Sequence, residues 1–408
     1  MHAVDGDLKT PGGSKCGVSH AIISRSSSTI RDGWPGGPAV QILLTLLSGV
    51  PHTGQTPWES SPWRVLAFSV GAMVLGVSLS LLGHTLGGLG HLLFLPGWVL
   101  TVYALRNLAL SVFHEAAHGT MCPRLPWLNE WVGQCASVLL LSQNFRIYRP
   151  EHLGDHHCQG HMTCDDPTVA FLFDRLGLRP GMAKNECWRR LVWKLISPWF
   201  HARLLWSRLV SWFRGAIRGH QVGSVLYLVA LFGFAWWYPL ATLLVWLIPL
   251  TVLVNVAMTV RACTEHVFAG VWHKGRLRIA LSTHAQRFGC AAPTMTGVWS
   301  LDVLRWVWWG VKMACHTLCR VIFTPGESPQ HDWHHRRIND KNWPSAIFAR
   351  LQAVKEWEQA EMQGRQSWPP YTEVWGIIQN IDECFRTLSL CRMEDFVRGD
   401  TEVRTVRQ

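Results

Sequence analysis

Four long apolar runs decide what this 408-residue chain can fold into. A helix that crosses a bilayer needs about 20 mainly apolar residues. One pair of runs covers Arg64 to Leu82 and His91 to Phe113, joined by the short Gly-rich turn His84 to Gly90. A second pair, Val222 to Phe234 and Leu240 to Val260, is divided by the aromatic turn Trp236-Trp237-Tyr238-Pro239. Each pair reads as a transmembrane hairpin. Composition points the same way: only 16% of residues are charged, where soluble domains carry about a quarter. The 24 tryptophans gather near the ends of apolar runs, as in interfacial belts. Val40 to Val50 is too short to span and is expected at the interface.

Charge placement orients the hairpins. Their turns carry no Lys or Arg, whereas the segment between them contains Arg124, Arg146, Arg149, Arg175, Arg179, Lys184, Arg189, Arg190 and Lys194. The positive-inside rule makes that segment cytoplasmic, and counting crossings puts both termini on the same side. Topology and anionic lipid then account for the net charge of +11. No nucleic-acid motif accompanies it, so nucleic acid is not an expected partner. Cys187 to His220 places Trp188, Trp193, Trp199, Trp206 and Trp212 among leucines and basic residues, the pattern of helices lying in the membrane surface. Val298 to Gly310 is similar. The organisation expected is a polar N-terminal tail with an interfacial segment (1–63, with 1–35 flexible and no signal core), a membrane domain (64–345) and a charged cytoplasmic C-terminal segment (346–408). The twelve cysteines have no knuckle or disulfide spacing and are expected reduced. Cys315 and Cys319, which flank His316, read as ordinary helix residues.

Three histidine clusters carry the chemistry: His114 and His118 in HEAAH, His152, His156 and His157 in EHLGDHH, and His331, His334 and His335 in HDWHH. Helical residues three or four apart share a face, while adjacent residues diverge. His114 and His118 therefore converge on one point, and the two rings of each HH pair point apart. Eight imidazoles are too many for one ion, and spacing alone supports a two-metal, nitrogen-rich site. Carboxylates adjoin every cluster: Glu115, Glu151, Asp155 and Asp332 are candidates to orient the rings through their second N–H. Arg106 falls inside the second apolar run, about 12 Å deeper than His114 at 1.5 Å per residue. An ionisable group there is a functional candidate by default, with snorkelling as the ordinary alternative; it is not placed in the site. A membrane metal-binding or transport protein is a different class that is also histidine-rich, but transporters place ion ligands near mid-membrane, and these clusters lie at or beyond the ends of the apolar runs.

The clusters, their order and the apolar pairs between them resemble the integral-membrane fatty acid desaturase and hydroxylase superfamily. Its members carry an HxxxH box after the second membrane helix, an HxxHH or HxxxHH box further along, and an HxxHH box after the fourth. HEAAH, HLGDHH and HDWHH stand in those places, and the resemblance runs from about Arg64 to Trp343. The family also uses a histidine shortly after the fourth membrane helix, a place matched by His266 in RACTEH, with Glu265 beside it. CQGHMTCDDP resembles the stretch ending in Asp-Pro that follows the second box, which adds Asp166 to the orienting carboxylates; His161 within it is an extra imidazole without an assigned role.

The resemblance implies two iron ions (Fe2+/Fe3+) held by His114, His118, His152, His156, His157, His266, His331, His334 and His335 in a cytoplasmic helical cap, with molecular oxygen as co-substrate. The reaction implied is attack on an unactivated C–H bond of a lipid or fatty acyl chain. Desaturation is favoured because YRPEHL and the spacing to Asp166-Pro167 look like desaturases. Hydroxylation, as by a monooxygenase, is the alternative, since the EHxxxHH form also resembles alkane hydroxylases. HHRRINDKNWP departs from the HHLFP type of acyl-lipid desaturases. WPGG at Trp34 to Gly37 lacks the histidine of a cytochrome b5 haem motif, so electrons are expected from a separate donor, a ferredoxin or cytochrome b5 with its reductase.

Overall fold

The computed structural model describes residues 24–365 and 368–397 and is mostly helical. Four helices are long and apolar enough to cross a membrane: Pro62–Leu86, Gly88–His118, Arg218–Trp237 and Pro239–Ala262. They contain the four apolar runs and extend beyond each of them. The first span starts where the Ser61 side chain accepts the Arg64 N–H, with Pro62 opening the helix, so a cap and a residue needing no N–H partner begin it together. The second does not stop at Phe113 but runs on through HEAAH and ends at Gly119 (φ 77°). Within it, Leu108–Phe113 forms wide i→i+5 turns immediately ahead of His114, and the fourth span widens likewise over Thr242–Leu253, around Pro249. Such turns shift the phase of a helix and so re-aim the side chains that follow.

Small residues set the packing of the first two spans. A Cβ on Gly76 would come within 2.7 Å of the Gly97 carbonyl and the Thr101 N–H, and one on Gly83 within 2.8 Å of the Gly90 carbonyl. Residue numbers fall along one helix as they rise along the other, so the pair runs antiparallel. Their backbones meet at a stripe of small residues, as helices do where lipid provides no hydrophobic drive. Outward-facing residues such as Phe68, Leu89, Phe232 and Trp236 are exposed and apolar.

The surface stretches sort into inward and outward tryptophans. Cys187 to His220 forms the helices Lys184–Ile196 and Pro198–Phe213. Trp193, Trp199 and Trp206 are exposed, while Trp212 is fully buried and Trp188 donates to Asp382 at 2.7 Å. Val298 to Gly310 opens a longer helix, Trp299–Phe323, that exposes Trp299, Leu304, Val307 and Trp308. Cys315 and Cys319 lie on it, one exposed and one partly buried.

Two segments set apart by composition are packed into the body. Residues 1–23 of the expected tail lie outside the described residues. From Ser24 onward, however, the chain is helical, and Trp34 is 2% exposed with its indole N–H donated to the Cys290 carbonyl at 2.9 Å. Arg31 is fully buried, donating to the Val50 carbonyl and to Gln41 and Thr45. A polar average over 35 residues hid these two anchors, and the expectation of a flexible tail fails for this part. Residues 346–397 likewise supply Ala346, Ala353 and Val354 to one apolar cluster and Ile381, Phe385 and Leu388 to the other. A short parallel pair ties the segment down: β1 (Ala285–Arg287) beside β2 (Glu373–Trp375), with Ala285 opposite Glu373.

Candidate metal centre

Each histidine arrives on an element whose local geometry aims it. His114 and His118 occupy the last turn of the second span, with ring centroids 4.8 Å apart. The second box follows the helix Phe145–Glu151, capped by the Asn144 side chain, and passes into a wide turn over His152–His156. The third box is the short helix His331–Arg336. His266 sits past the fourth span, held by a bridge to Thr283.

These nine imidazoles gather into two groups. One contains His114, His118, His152, His157 and His334; the other contains His156, His266, His331 and His335; within each, the ligand atoms lie within 4.8 Å of one another. The adjacent pairs are divided between the groups, His156 from His157 and His334 from His335. That is the divergence of neighbouring helical positions at work, and His157 and His335 meet where the groups adjoin, with centroids 4.2 Å apart and ring planes inclined by 33°.

The spacing of the nitrogens tests what the groups could hold. Nε2 atoms face each other at 3.1 Å (His118 and His152), 3.0 Å (His152 and His157), 3.3 Å (His157 and His334), and 3.1 Å for both His266 with His331 and His331 with His335. Metal–nitrogen bonds of about 2.0–2.1 Å put neighbouring donor atoms roughly 3.0–3.4 Å apart. Apart from His114, every ring is at most 9% exposed. Burial, and then the neighbouring imidazoles, hold His152, His157, His266, His331, His334 and His335 well below the usual histidine range. Neutral rings keep the lone pair that a metal needs. The donor set therefore fits two metal ions.

The carboxylates divide into those that meet an imidazole and those that do not. Glu115 Oε1 lies 3.1 Å from His114 Nδ1 and 3.7 Å from His334 Nδ1, while Glu115 Oε2 accepts the Thr120 hydroxyl at 2.5 Å. Asp166, fully buried, accepts from His156 Nδ1 at 3.0 Å and from the backbone N–H groups of Met162 and Thr168. Burial opposes charge on both partners, but their mutual attraction wins: Asp166 is lowered and His156 raised. Glu265 lies 3.8 Å from His331 Nε2 and pairs with Arg261. The other three candidates point elsewhere. Glu151 accepts from Gln143 at 2.6 Å, Asp155 contacts no imidazole among the described residues, and Asp332 is taken by Arg350. With His331, His334 and His335 facing inward, position 332 falls on the flank of its helix, about 100° round from His331; a similar offset turns 151 and 155 away from 152 and 156.

Several neighbours had no signal in the pattern. Tyr148 stacks on His152 at 5.0 Å and 13°; its place four residues ahead on the same helix is the one clue. The extra imidazole, His161, is fully buried, with Nδ1 2.7 Å from the His156 carbonyl and Nε2 2.9 Å from the Ser282 hydroxyl. It holds the backbone of a clustered histidine, and burial first of all keeps its ring neutral down to about pH 4. Arg350, the partner of Asp332, lies in a segment that composition marked only as charged. Arg106 is buried and touches none of the nine rings.

Comparison with known proteins agrees with this arrangement. The family model described as fatty acid desaturase matches residues 89–291, which include the first two boxes and His266. No curated protein and no solved structure matches the chain. Four apolar helices, three histidine boxes and the match over residues 89–291 make this chain a member of the integral-membrane fatty acid desaturase and hydroxylase superfamily.

Proposed function

We propose that this chain is a membrane-bound, di-iron, oxygen-dependent oxidoreductase that acts on an unactivated C–H bond of a lipid or fatty acyl chain, most simply to introduce a double bond. The observation that carries the reading is the division of nine buried imidazoles into groups of five and four at metal-ligand spacing. Two iron ions, when bound, supply the reductive activation of oxygen. The chain's part is to hold and shield them. Glu115 and Asp166 accept ring N–H groups and so fix which nitrogen of His114 and His156 faces inward, and Tyr148 covers His152. The burial of eight of the nine rings keeps water from the reacting centre.

Membrane placement belongs to the same proposal. The spans form two hairpins, and the basic segment between them, both termini and the histidine cap face the cytoplasm. Electrons come from a separate ferredoxin or cytochrome b5 with its reductase. Ligands at the end of the second span and just past the fourth, away from mid-span, favour an oxygenase over a transporter.

Expression with a generic electron donor, followed by mass spectrometry of the lipid extract, tests the reading. Loss of two hydrogens is the expected change, and gain of one oxygen would make the enzyme a hydroxylase. An unchanged extract from protein loaded with iron and supplied with electrons overturns it.

A further inference from the structure

Arg106 carries a buried charge, and among the described residues two of its three guanidinium nitrogens have no hydrogen-bond partner. It lies inside the second span and is 3% exposed, and its Nε and Nη2 are the two nitrogens left unpartnered among the described residues. Snorkelling does not explain it, because a snorkelling guanidinium reaches water. The charges that act on it are Arg261, Glu265 and Arg208, three guanidiniums in all against one carboxylate. Arg261 is already paired with Glu265 and donates to the Ser328 hydroxyl. Arg208 donates to the Leu141 and Leu250 carbonyls and to Asn255 Oδ1 at 2.9 Å. The amide nitrogen of Asn255, fully buried in the fourth span, is also without a partner. What gathers here is an excess of donors and of positive charge, and the missing component is an acceptor bearing negative charge. A buried guanidinium left alone in an apolar interior is costly.

The cluster adjoins the histidines, since Glu265 lies 3.8 Å from His331. Arg106 itself stands eight residues ahead of His114, on the order of 10 Å along the helix. We infer that Arg106 anchors an oxyanion subsite within the membrane-spanning helices, which binds the carboxylate or phosphate of a lipid whose chain runs past the histidine groups. This rests on the reading of the histidine site as lipid-oxidising. It adds that the bound lipid is held by its charged end beside the site and is not a plain hydrocarbon.

The test uses the full chain in lipid nanodiscs and reads thermal unfolding, which requires neither turnover nor electrons. Palmitate and dodecyl phosphate are the oxyanion probes, and the larger response identifies which head the subsite takes. Hexadecane and inorganic phosphate are the controls. Palmitate or dodecyl phosphate is expected to raise the Tm of the wild type by several degrees, to raise that of Arg106→Lys by less, and to leave Arg106→Leu unmoved. Without probe, Arg106→Leu should melt higher than the wild type, because it removes an unanswered buried charge. A lower Tm for Arg106→Leu without probe, an equal probe response in that variant, a response to hexadecane or inorganic phosphate as large as to palmitate, or no oxyanion response in the wild type overturns the inference. Iron content is measured on the same samples. Wild type that responds to palmitate but holds no iron overturns the oxidase reading and leaves the subsite standing.

Discussion

Asp332 and Arg350 form a two-pronged pair, with the guanidinium Nε and Nη2 each 2.8 Å from a carboxylate oxygen and both side chains almost fully buried. Arg350 also reaches Glu373 at 2.6 Å, and Glu373 in turn meets Arg287 at 2.8 Å. The third histidine box is thereby bolted to the helix Ala346–Met362 and to both strands of the small sheet. Burial alone would weaken the Arg350 charge; its two carboxylates outweigh that and raise it above the usual arginine range.

Removal of Arg350 should therefore loosen the region around the third histidine box before it alters any chemistry. Arg350→Ala leaves Asp332 and Glu373 as buried charges with fewer partners, a change that costs about 3–5 kcal/mol. Arg350→Lys cannot restore the two-pronged geometry and should rescue only part of the loss. Thermal unfolding of the metal-free protein checks this, and an Arg350→Ala variant as stable as the wild type would refute the role of the pair.

The orienting carboxylates should separate by position. Asp166→Asn and Glu115→Gln disturb rings of the proposed metal site, and partners of that kind are worth roughly 10–100-fold in metal affinity or activity. Glu151→Gln and Asp155→Asn, whose side chains contact no imidazole among the described residues, with Glu151 held by Gln143, should retain wild-type iron. Iron content per chain, measured after dialysis against a weak chelator, ranks the four. Equal loss in all of them would mean that contact with the rings is not what matters.

What was legible in the sequence follows from the range of the signals. Apolar runs and the spacing within HEAAH or HDWHH are local, so the four spans and the inward faces of the boxes could be read from one stretch at a time. The parting of His156 from His157 follows from helical geometry alone. Asp332 shows the limit: an acid beside three histidines looked like their partner, yet its helical position turns it away to an arginine 18 residues on. Trp34 meets a carbonyl 256 residues distant, and no local pattern announces such a contact. The wide turn at Leu108–Phe113 is also silent in the sequence, since an i→i+5 turn uses the same apolar residues as an ordinary one.

Glu327, four residues ahead of the third histidine box and subject to the charge of Glu115, offers a pH test. Burial pushes its carboxyl up to about 7 from a usual 4.5, against the pull of Arg320. An acid with a raised native pKa binds its proton more tightly folded than unfolded, so stability declines as pH rises from 4.5 and levels off above 7. Glu327→Gln removes that decline. The Tm difference between variant and wild type should be small near pH 4.5 and should grow in favour of the variant up to about pH 7. Histidine titration affects both proteins and cancels in the difference. A difference that is constant with pH would show that Glu327 is ionised throughout.

The two histidine groups make the sharpest prediction, because they assign neighbouring residues to different ions. His118 belongs to the group of five and His335 to the group of four. His118→Ala leaves four nitrogens behind and His335→Ala leaves three, so the second substitution should release its metal more readily, metal sites depending on their ligand count. Both variants should lose turnover, since the reading requires both ions. Membrane insertion should survive in each, because His118 is only the last residue of its span, His335 lies outside all four, and the apolar runs that drive insertion are untouched. Iron per chain should fall further for His335→Ala than for His118→Ala. Full turnover in either variant would remove that residue from the metal site, and identical iron loss in the two would undo the division into separate groups.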